Sequence, residues 1–333
     1  MKAFIKAVTY ILPESILTNE SLVNEFPEWS VEKIASKIGI NQRHIAAKDE
    51  FTSDLAVKVG EKILSDYNIN PNEIDFVLLC TQSPDYFLPT TACIVQNKLN
   101  IPTSAGALDF NLGCSGYVYG LALAKGLVYA GIAKNILLIT SETYSKFLHP
   151  KDKSNRTIFG DAASATIVST DGFAEIGEFE LGTDGKGAEN LIVKQGALKE
   201  PFRSEFYEES ENGFKSDAHL FMNGNEIFNF TIKAIPGLIA NTLEKNKLNI
   251  DSTNVFIFHQ ANMFMLNHLR KKLNIPQEKF LCWMENCGNT VSSTIPIVLK
   301  EAIENNQINQ NDKVLLAGFG VGYSWGGCVL KFK

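Results

Sequence analysis

The apolar positions of the chain form short continuous runs, separated by stretches with helical spacing. Ile74–Cys80 reads IDFVLLC, aliphatic and β-branched without a helical period, which predicts a buried strand. The same reading predicts strands over Ala105–Asn111, Lys134–Thr140 and Ala165–Val168, with helices over Thr91–Leu99 and Gly116–Ala130. The second half repeats the rhythm. Strands are expected at Val255–Phe258, Lys313–Ala317 and Cys328–Leu330, and helices at Met263–Leu273 and Ser293–Ile303. Strands alternating with helices predict an α/β fold, a mostly parallel sheet with helices on both faces. The recurrence predicts two duplicated α/β halves, residues 1–170 and 171–333. The polar stretch Gly182–His219 between them is expected to be a solvated excursion or a flap over a substrate mouth.

Composition narrows the class. Of 333 residues, 45% are hydrophobic and 10% aromatic, which excludes wholesale disorder. The net charge of −6 lacks the concentrated basic face that nucleic-acid binding needs. The apolar stretch Leu112–Ala124 stops at Lys125, short of a membrane span, and Pro13 and Glu14 interrupt the start before a signal-like segment develops. A cytoplasmic enzyme is expected. The six cysteines are too scattered for a disulfide framework and form no CxxC pair, so no metal is expected.

Cys114 lies in Leu112-Gly113-Cys114-Ser115-Gly116, where a predicted strand turns into an apolar helix. A sulfur at a helix N-terminus meets unpaired N–H groups and the positive end of the macrodipole, which favours a thiolate. Cys80, Cys93 and Cys328 read as small buried hydrophobes. His259 follows the strand Val255–Phe258, at the end of a strand where α/β folds bind ligands. His44, His149, His219 and His268 have no such setting. Asn289 stands in a turn that opens onto a helix. The segment Gly318–Gly326 alternates glycines but lacks G-x-G-x-x-G, so it reads as a backbone turn offering N–H groups to an oxyanion.

Taken in order, these segments resemble β-ketoacyl-acyl carrier protein synthase III, a branch of the thiolase-fold condensing enzymes, across nearly the whole chain. The segments are Gly39-Ile40 with Arg43-His44-Ile45, Thr81-Gln82-Ser83-Pro84-Asp85, Gly113-Cys114-Ser115-Gly116 and Phe159-Gly160-Asp161. They continue with Asn223-Gly224-Asn225-Glu226, His259-Gln260-Ala261-Asn262, Gly288-Asn289-Thr290 and the terminal Gly-Phe-Gly turn.

The resemblance implies a duplicated five-layer αβαβα thiolase fold and a homodimer. It implies that Cys114 takes an acyl group from a thioester, acyl-coenzyme A or acyl carrier protein, and condenses it with malonyl-acyl carrier protein as carbon dioxide leaves. His259 and Asn289 are then the donors to the malonyl thioester oxygen, and the backbone N–H groups of Cys114 and Val321 the oxyanion hole. The substrates serve without a further cofactor. Coenzyme A is expected at Trp29, Lys37, Arg156 and Asn262, and the carrier at Gln260, Phe264, Arg270, Lys271 and Lys272. Leu88, Met222 and Phe228 are expected at the acyl pocket. Leu88 stands where the family has a phenylalanine reached from the partner subunit, and its smaller bulk predicts a starter longer or more branched than acetyl. The alternatives are acyl transfer to an alcohol or amine, and a silent scaffold that only binds carrier protein.

Overall fold

The computed structural model describes residues 2–202, 207–210 and 213–333. Residues 203–206 and 211–212 of the polar stretch lie outside the described residues. Ten strands form one continuous sheet: β1 (Phe4–Ile11), β2 (Phe76–Cys80), β3 (Gly106–Phe110), β4 (Asn135–Glu142), β5 (Ala162–Ser169), β6 (Ala174–Thr183), β7 (Val255–Phe258), β8 (Phe280–Leu281), β9 (Lys313–Gly320) and β10 (Ser324–Phe332). Their spatial order is β8-β7-β9-β10-β6-β1-β5-β4-β2-β3.

This order is two copies of one pattern. In the first, β3, β2 and β4 run parallel while β5 and β1 are antiparallel. In the second, β8, β7 and β9 run parallel while β10 and β6 are antiparallel. The copies join through a short β1–β6 ladder, Phe4 opposite Glu175 and Ile5 opposite Ala174. The expected mostly parallel sheet is therefore a mixed one. Hydrophobic period tells buried from exposed but not strand direction, so the antiparallel inner strands of each half were not encoded in it.

Eight longer helices surround and divide the sheet: α1 (Asn19–Glu25), α2 (Val31–Ile38), α3 (Thr52–Asp66), α4 (Thr91–Lys98), α5 (Gly116–Tyr129), α6 (Gly224–Lys245), α7 (Met263–Lys272) and α8 (Thr294–Glu304). Helices α5 and α8 touch strands of both halves and form the middle layer. Helices α3 and α4 cover the outer face of the first half, and α6 covers that of the second, with α7 packed on α6. Five layers result. Helix α5 is apolar on most sides because it is sandwiched, and Tyr117, Val118, Leu121 and Ala124 are all buried. Helix α6 has no counterpart in the hydrophobic pattern, because Pro236 and Gly237 interrupt its period. Among the described residues no helix is long and apolar enough to cross a membrane.

Candidate active site

Cys114 occupies the turn between β3 and α5, beneath the C-terminal end of β9. A Cβ on Gly318 would lie 2.8 Å from Ser115 Cα, and one on Gly320 would lie 2.7 Å from both Cys114 Cβ and Sγ. The alternating glycines thus let the β9 backbone lie directly against the cysteine turn. A side chain at Gly320 would occupy the space of the sulfur.

His259 directly follows β7, and its N–H donates to the Ala317 carbonyl at 2.8 Å, which extends the β7–β9 ladder to the rim of the site. Its Nδ1 lies 2.8 Å from the Thr294 hydroxyl, which also approaches the Val291 carbonyl at 3.1 Å. The Asn289 backbone is clamped by the Ile158 carbonyl at 2.9 Å and the Gly160 N–H at 3.1 Å. Its side-chain Oδ1 accepts from Val291 N–H at 3.0 Å, leaving the carboxamide NH₂ as the end that donates. Val291, which holds both Asn289 and Thr294, has φ of 55° although β-branched. Such a residue in the left-handed region stores strain of order 1–3 kcal/mol, and the surrounding contacts must impose it.

Cys114, His259 and Asn289 line one cavity of about 550 Å³, counting its open mouth. Phe319, Met222 and Asn262 line it with them. The expected trio is brought together from both halves, 175 residues apart at the extremes (289 − 114). The protonation states differ from the expected thiolate. Burial pushes the Cys114 thiol up to about 12, against the pull of the Val321 and Cys114 backbone N–H groups. Burial also lowers His259 to about 3, so the imidazole is neutral at working pH. Desolvation outweighs the helix terminus here, because Cys114 is only 6% exposed.

The remaining sequence-predicted residues divide. Met222 and Asn262 line the cavity, and Asn262 also caps α7 by accepting from Met265 N–H at 2.9 Å. Trp29 is half-buried ahead of α2, and Lys37 is exposed on its last turn. Arg156 is committed elsewhere: it pairs with Glu25 at 2.5 Å, donates to the Pro150 carbonyl and covers the Phe26 ring. Phe264 (61% exposed), Lys271 and Lys272 lie on the surface of α7. Gln260 does not dock anything from there. It is 1% exposed, with Nε2 bonded to the Phe258 carbonyl and Oε1 to Trp283 N–H. Arg270 folds back onto the Ile275 carbonyl at 3.1 Å and serves the helix end. Phe228 is outside the cavity, packed on Phe264 and His268. Leu88 is 82% exposed on the loop after β2 and does not line the catalytic cavity of its own chain. The polar stretch is no simple excursion either, since Leu191 reaches the cavity and Leu191–Ile192 pairs with Phe221–Met222.

Sequence reasoning also missed Glu142. This carboxyl is fully buried and accepts from the Gln82 N–H, Ser83 and Ser292, tying the loop after β2 to the turn ahead of α8. Burial raises it from 4.5 to about 8 despite those donors. The folded chain therefore keeps a proton that the unfolded chain has released between about pH 4.5 and 8, and stability falls as pH rises through that window. Glu142→Gln keeps the shape without the ionisation. Its melting temperature is expected to gain on the parent steadily from pH 5 to pH 8, by an amount on the order of a few kcal/mol of stability. Parallel pH profiles of the two proteins would show the carboxyl to be ionised at all these values. Among the described residues no cluster of three or more histidine, cysteine or acidic side chains could hold a metal ion.

Comparison with known proteins adds independent findings. The family described as 3-oxoacyl-[acyl-carrier-protein (ACP)] synthase III matches residues 108–185, and its C-terminal part matches residues 243–332. A beta-ketoacyl-[acyl-carrier-protein] synthase III of Clostridium perfringens is 39% identical over 320 residues, 96% of each chain. A solved 3-oxoacyl-(acyl-carrier-protein) synthase III superposes with a TM-score of 0.97 at 48% identity, covering 100% of both chains. A 3-oxoacyl-(acyl-carrier protein) synthase from Burkholderia xenovorans LB400 gives 0.92 at 38% identity, over 100% of this chain and 94% of that one.

Proposed function

The chain belongs to the 3-oxoacyl-[acyl-carrier-protein] synthase III family, and from that premise we propose that it acts through an acyl thioester on Cys114. It is a condensing acyltransferase of thiolase fold, joining an acyl group to malonyl-acyl carrier protein with loss of carbon dioxide. The observation that carries the residue assignment is the convergence of Cys114, His259 and Asn289 on one cavity, with two backbone N–H groups at the sulfur.

In the first half-reaction the Cys114 sulfur attacks the thioester carbon. The bond to the carrier sulfur breaks, and the cysteine proton passes to the departing thiolate. Negative charge on the carbonyl oxygen is held by the N–H groups of Cys114 and Val321. In the second, the malonyl thioester oxygen accepts from Asn289 Nδ2 and from His259 Nε2, in the neutral tautomer that carries its proton there while Nδ1 faces the Thr294 hydroxyl. The carboxylate bond breaks, carbon dioxide leaves, and the electron pair forms an enolate. Its carbon attacks the acyl carbon and expels the Cys114 sulfur. A histidine lowered to about 3 suits this step, since an imidazolium would protonate the enolate before it attacked.

Acyl-coenzyme A is the proposed first donor, entering past Asn262, with Trp29 and Lys37 near its nucleotide end. Arg156 can join them only by leaving Glu25. The exposed α7 surface, with Phe264, Lys271 and Lys272, is the proposed carrier contact. A homodimer is supported by the free sheet edge at β3 and by the apolar loop Tyr86-Phe87-Leu88, whose members are 63%, 75% and 82% exposed. In such a dimer Leu88 serves the second copy's acyl pocket. The setting proposed is the cytoplasm.

Incubation with an acyl-coenzyme A and carboxyl-labelled malonyl-acyl carrier protein is expected to release labelled carbon dioxide and yield a 3-oxoacyl carrier. Acyl transfer to an added alcohol or amine without that release would replace the condensation reading. Acetyl-coenzyme A is expected to be a poorer starter than a longer acyl donor in the same steady-state assay, and would refute that preference by outperforming every one of them.

A further inference from the structure

A second cavity lies next to the catalytic one, with Cys114 lining the first and not the second. It measures about 530 Å³ with its mouth and shares Leu191 with the catalytic cavity. Val321, whose N–H reaches the Cys114 sulfur, is part of its wall. An acyl chain on Cys114 that extends past Val321 or Leu191 would enter this second space.

The wall is largely apolar, with Phe147, Leu191 and Leu220, but three uncharged polar side chains interrupt it: Tyr144, Gln82 and Asn111. Tyr144 is 4% exposed, and its ring is fixed between Phe159 at 5.1 Å and Phe147 at 5.6 Å. Its hydroxyl has no hydrogen-bond partner among the described residues, yet it is not sealed off like the occluded orphan atoms of the core. Gln82 Nε2 donates to Asn111 Oδ1 at 3.2 Å, while Oε1 lies buried under Gly113 without a partner. A plain alkyl chain filling this space would desolvate the tyrosine hydroxyl and the Gln82 N–H that Asn111 does not use and leave them unpaired, a loss that buried polar groups rarely bear.

We propose that the acyl starter of this chain carries a hydroxyl on a short chain, which Tyr144 and the Gln82 carboxamide recognise. A hydroxyl both donates and accepts, so it satisfies the tyrosine O–H and either orientation of the carboxamide. The bond chemistry is unchanged: the Cys114 sulfur displaces the carrier thiol, and the hydroxyl takes no part. The proposal rests on Cys114 being the acylated residue and narrows the class of acyl group it accepts.

The test is a competition for Cys114, read by intact mass. Butanoyl-coenzyme A is mixed in equal amounts with 3-hydroxybutanoyl-coenzyme A, each enantiomer in turn, or with 4-hydroxybutanoyl-coenzyme A. At least one hydroxyacyl donor is expected to label the protein tenfold or more over butanoyl, as sites built around a substrate hydroxyl discriminate by that much or far more. Tyr144→Phe and Gln82→Leu are each expected to shift that ratio toward butanoyl by about tenfold. Because both donors compete for one preparation, the ratio is unaffected by any fraction of variant that fails to fold. Butanoyl labelling at least equal to every hydroxyacyl donor overturns the proposal and leaves the condensing function intact. No labelling by any donor would instead count against Cys114 as the acylated residue.

Discussion

Cys114→Ala is expected to abolish acyl-enzyme formation, seen as the loss of every mass adduct after exposure to an acyl-coenzyme A. Among the six free cysteines Cys114 lines the catalytic cavity, while Cys80, Cys287 and Cys328 are buried away from it, Cys282 is half-buried and Cys93 is exposed. Condensation should fall by several orders of magnitude, as removal of a catalytic nucleophile elsewhere costs on the order of 10⁶ in kcat. A slow release of carbon dioxide from malonyl-acyl carrier protein should persist, because His259 and Asn289 still face the thioester oxygen. Cys93→Ala controls for exchange onto an accessible thiol and should retain the adduct. An adduct of unchanged yield on Cys114→Ala would remove the sulfur from the mechanism.

The parts of this enzyme that were legible before the structure are those written in local order. Val255–Phe258 is a strand with those very ends, and Cys114 sits on the turn that its flanking glycines announced. The terminal glycines were legible as a turn, but their reason was not. Gly318 and Gly320 are small because the backbone they belong to lies against Ser115 and Cys114, a contact across some 200 residues of chain. What stayed hidden is pairing at a distance. Thr294 meets His259 across 35 residues, and Arg156 is claimed by Glu25 across 131. Neither partner has a pattern of its own to read. Gln260 misled because a polar residue beside a catalytic histidine looks available, whereas its amide is spent inside on Phe258 and Trp283.

The thiol shows a competition whose winner local sequence does not decide. A helix N-terminus and two N–H groups favour the thiolate, by terms of order 1 kcal/mol each. Full burial opposes it with a larger one, and the thiol ends near 12. With His259 also held neutral, the resting site contains no ion pair. Its chemistry depends on fixed dipoles aimed at oxygen atoms, which is where removal of a single donor should be felt most.

Asn289→Ala is the sharpest test of that arrangement. The substitution removes the donor whose direction is set by the Oδ1 bond to Val291 N–H at 3.0 Å, and leaves Cys114 and its N–H groups in place. Acylation uses the cysteine side of the cavity, so the variant should still accumulate acyl-enzyme, read by intact mass. Carbon dioxide release should drop by about 10²- to 10³-fold, the usual cost of losing one donor to a developing oxyanion. The enolate would then rely on His259 alone. Asn289→Asp should be no better, since a carboxylate offers the malonyl oxygen a repelling charge in place of a hydrogen bond. Acylation and carbon dioxide release falling together and equally would mean that Asn289 shapes the whole pocket, and its assignment to the second half-reaction would have to be abandoned.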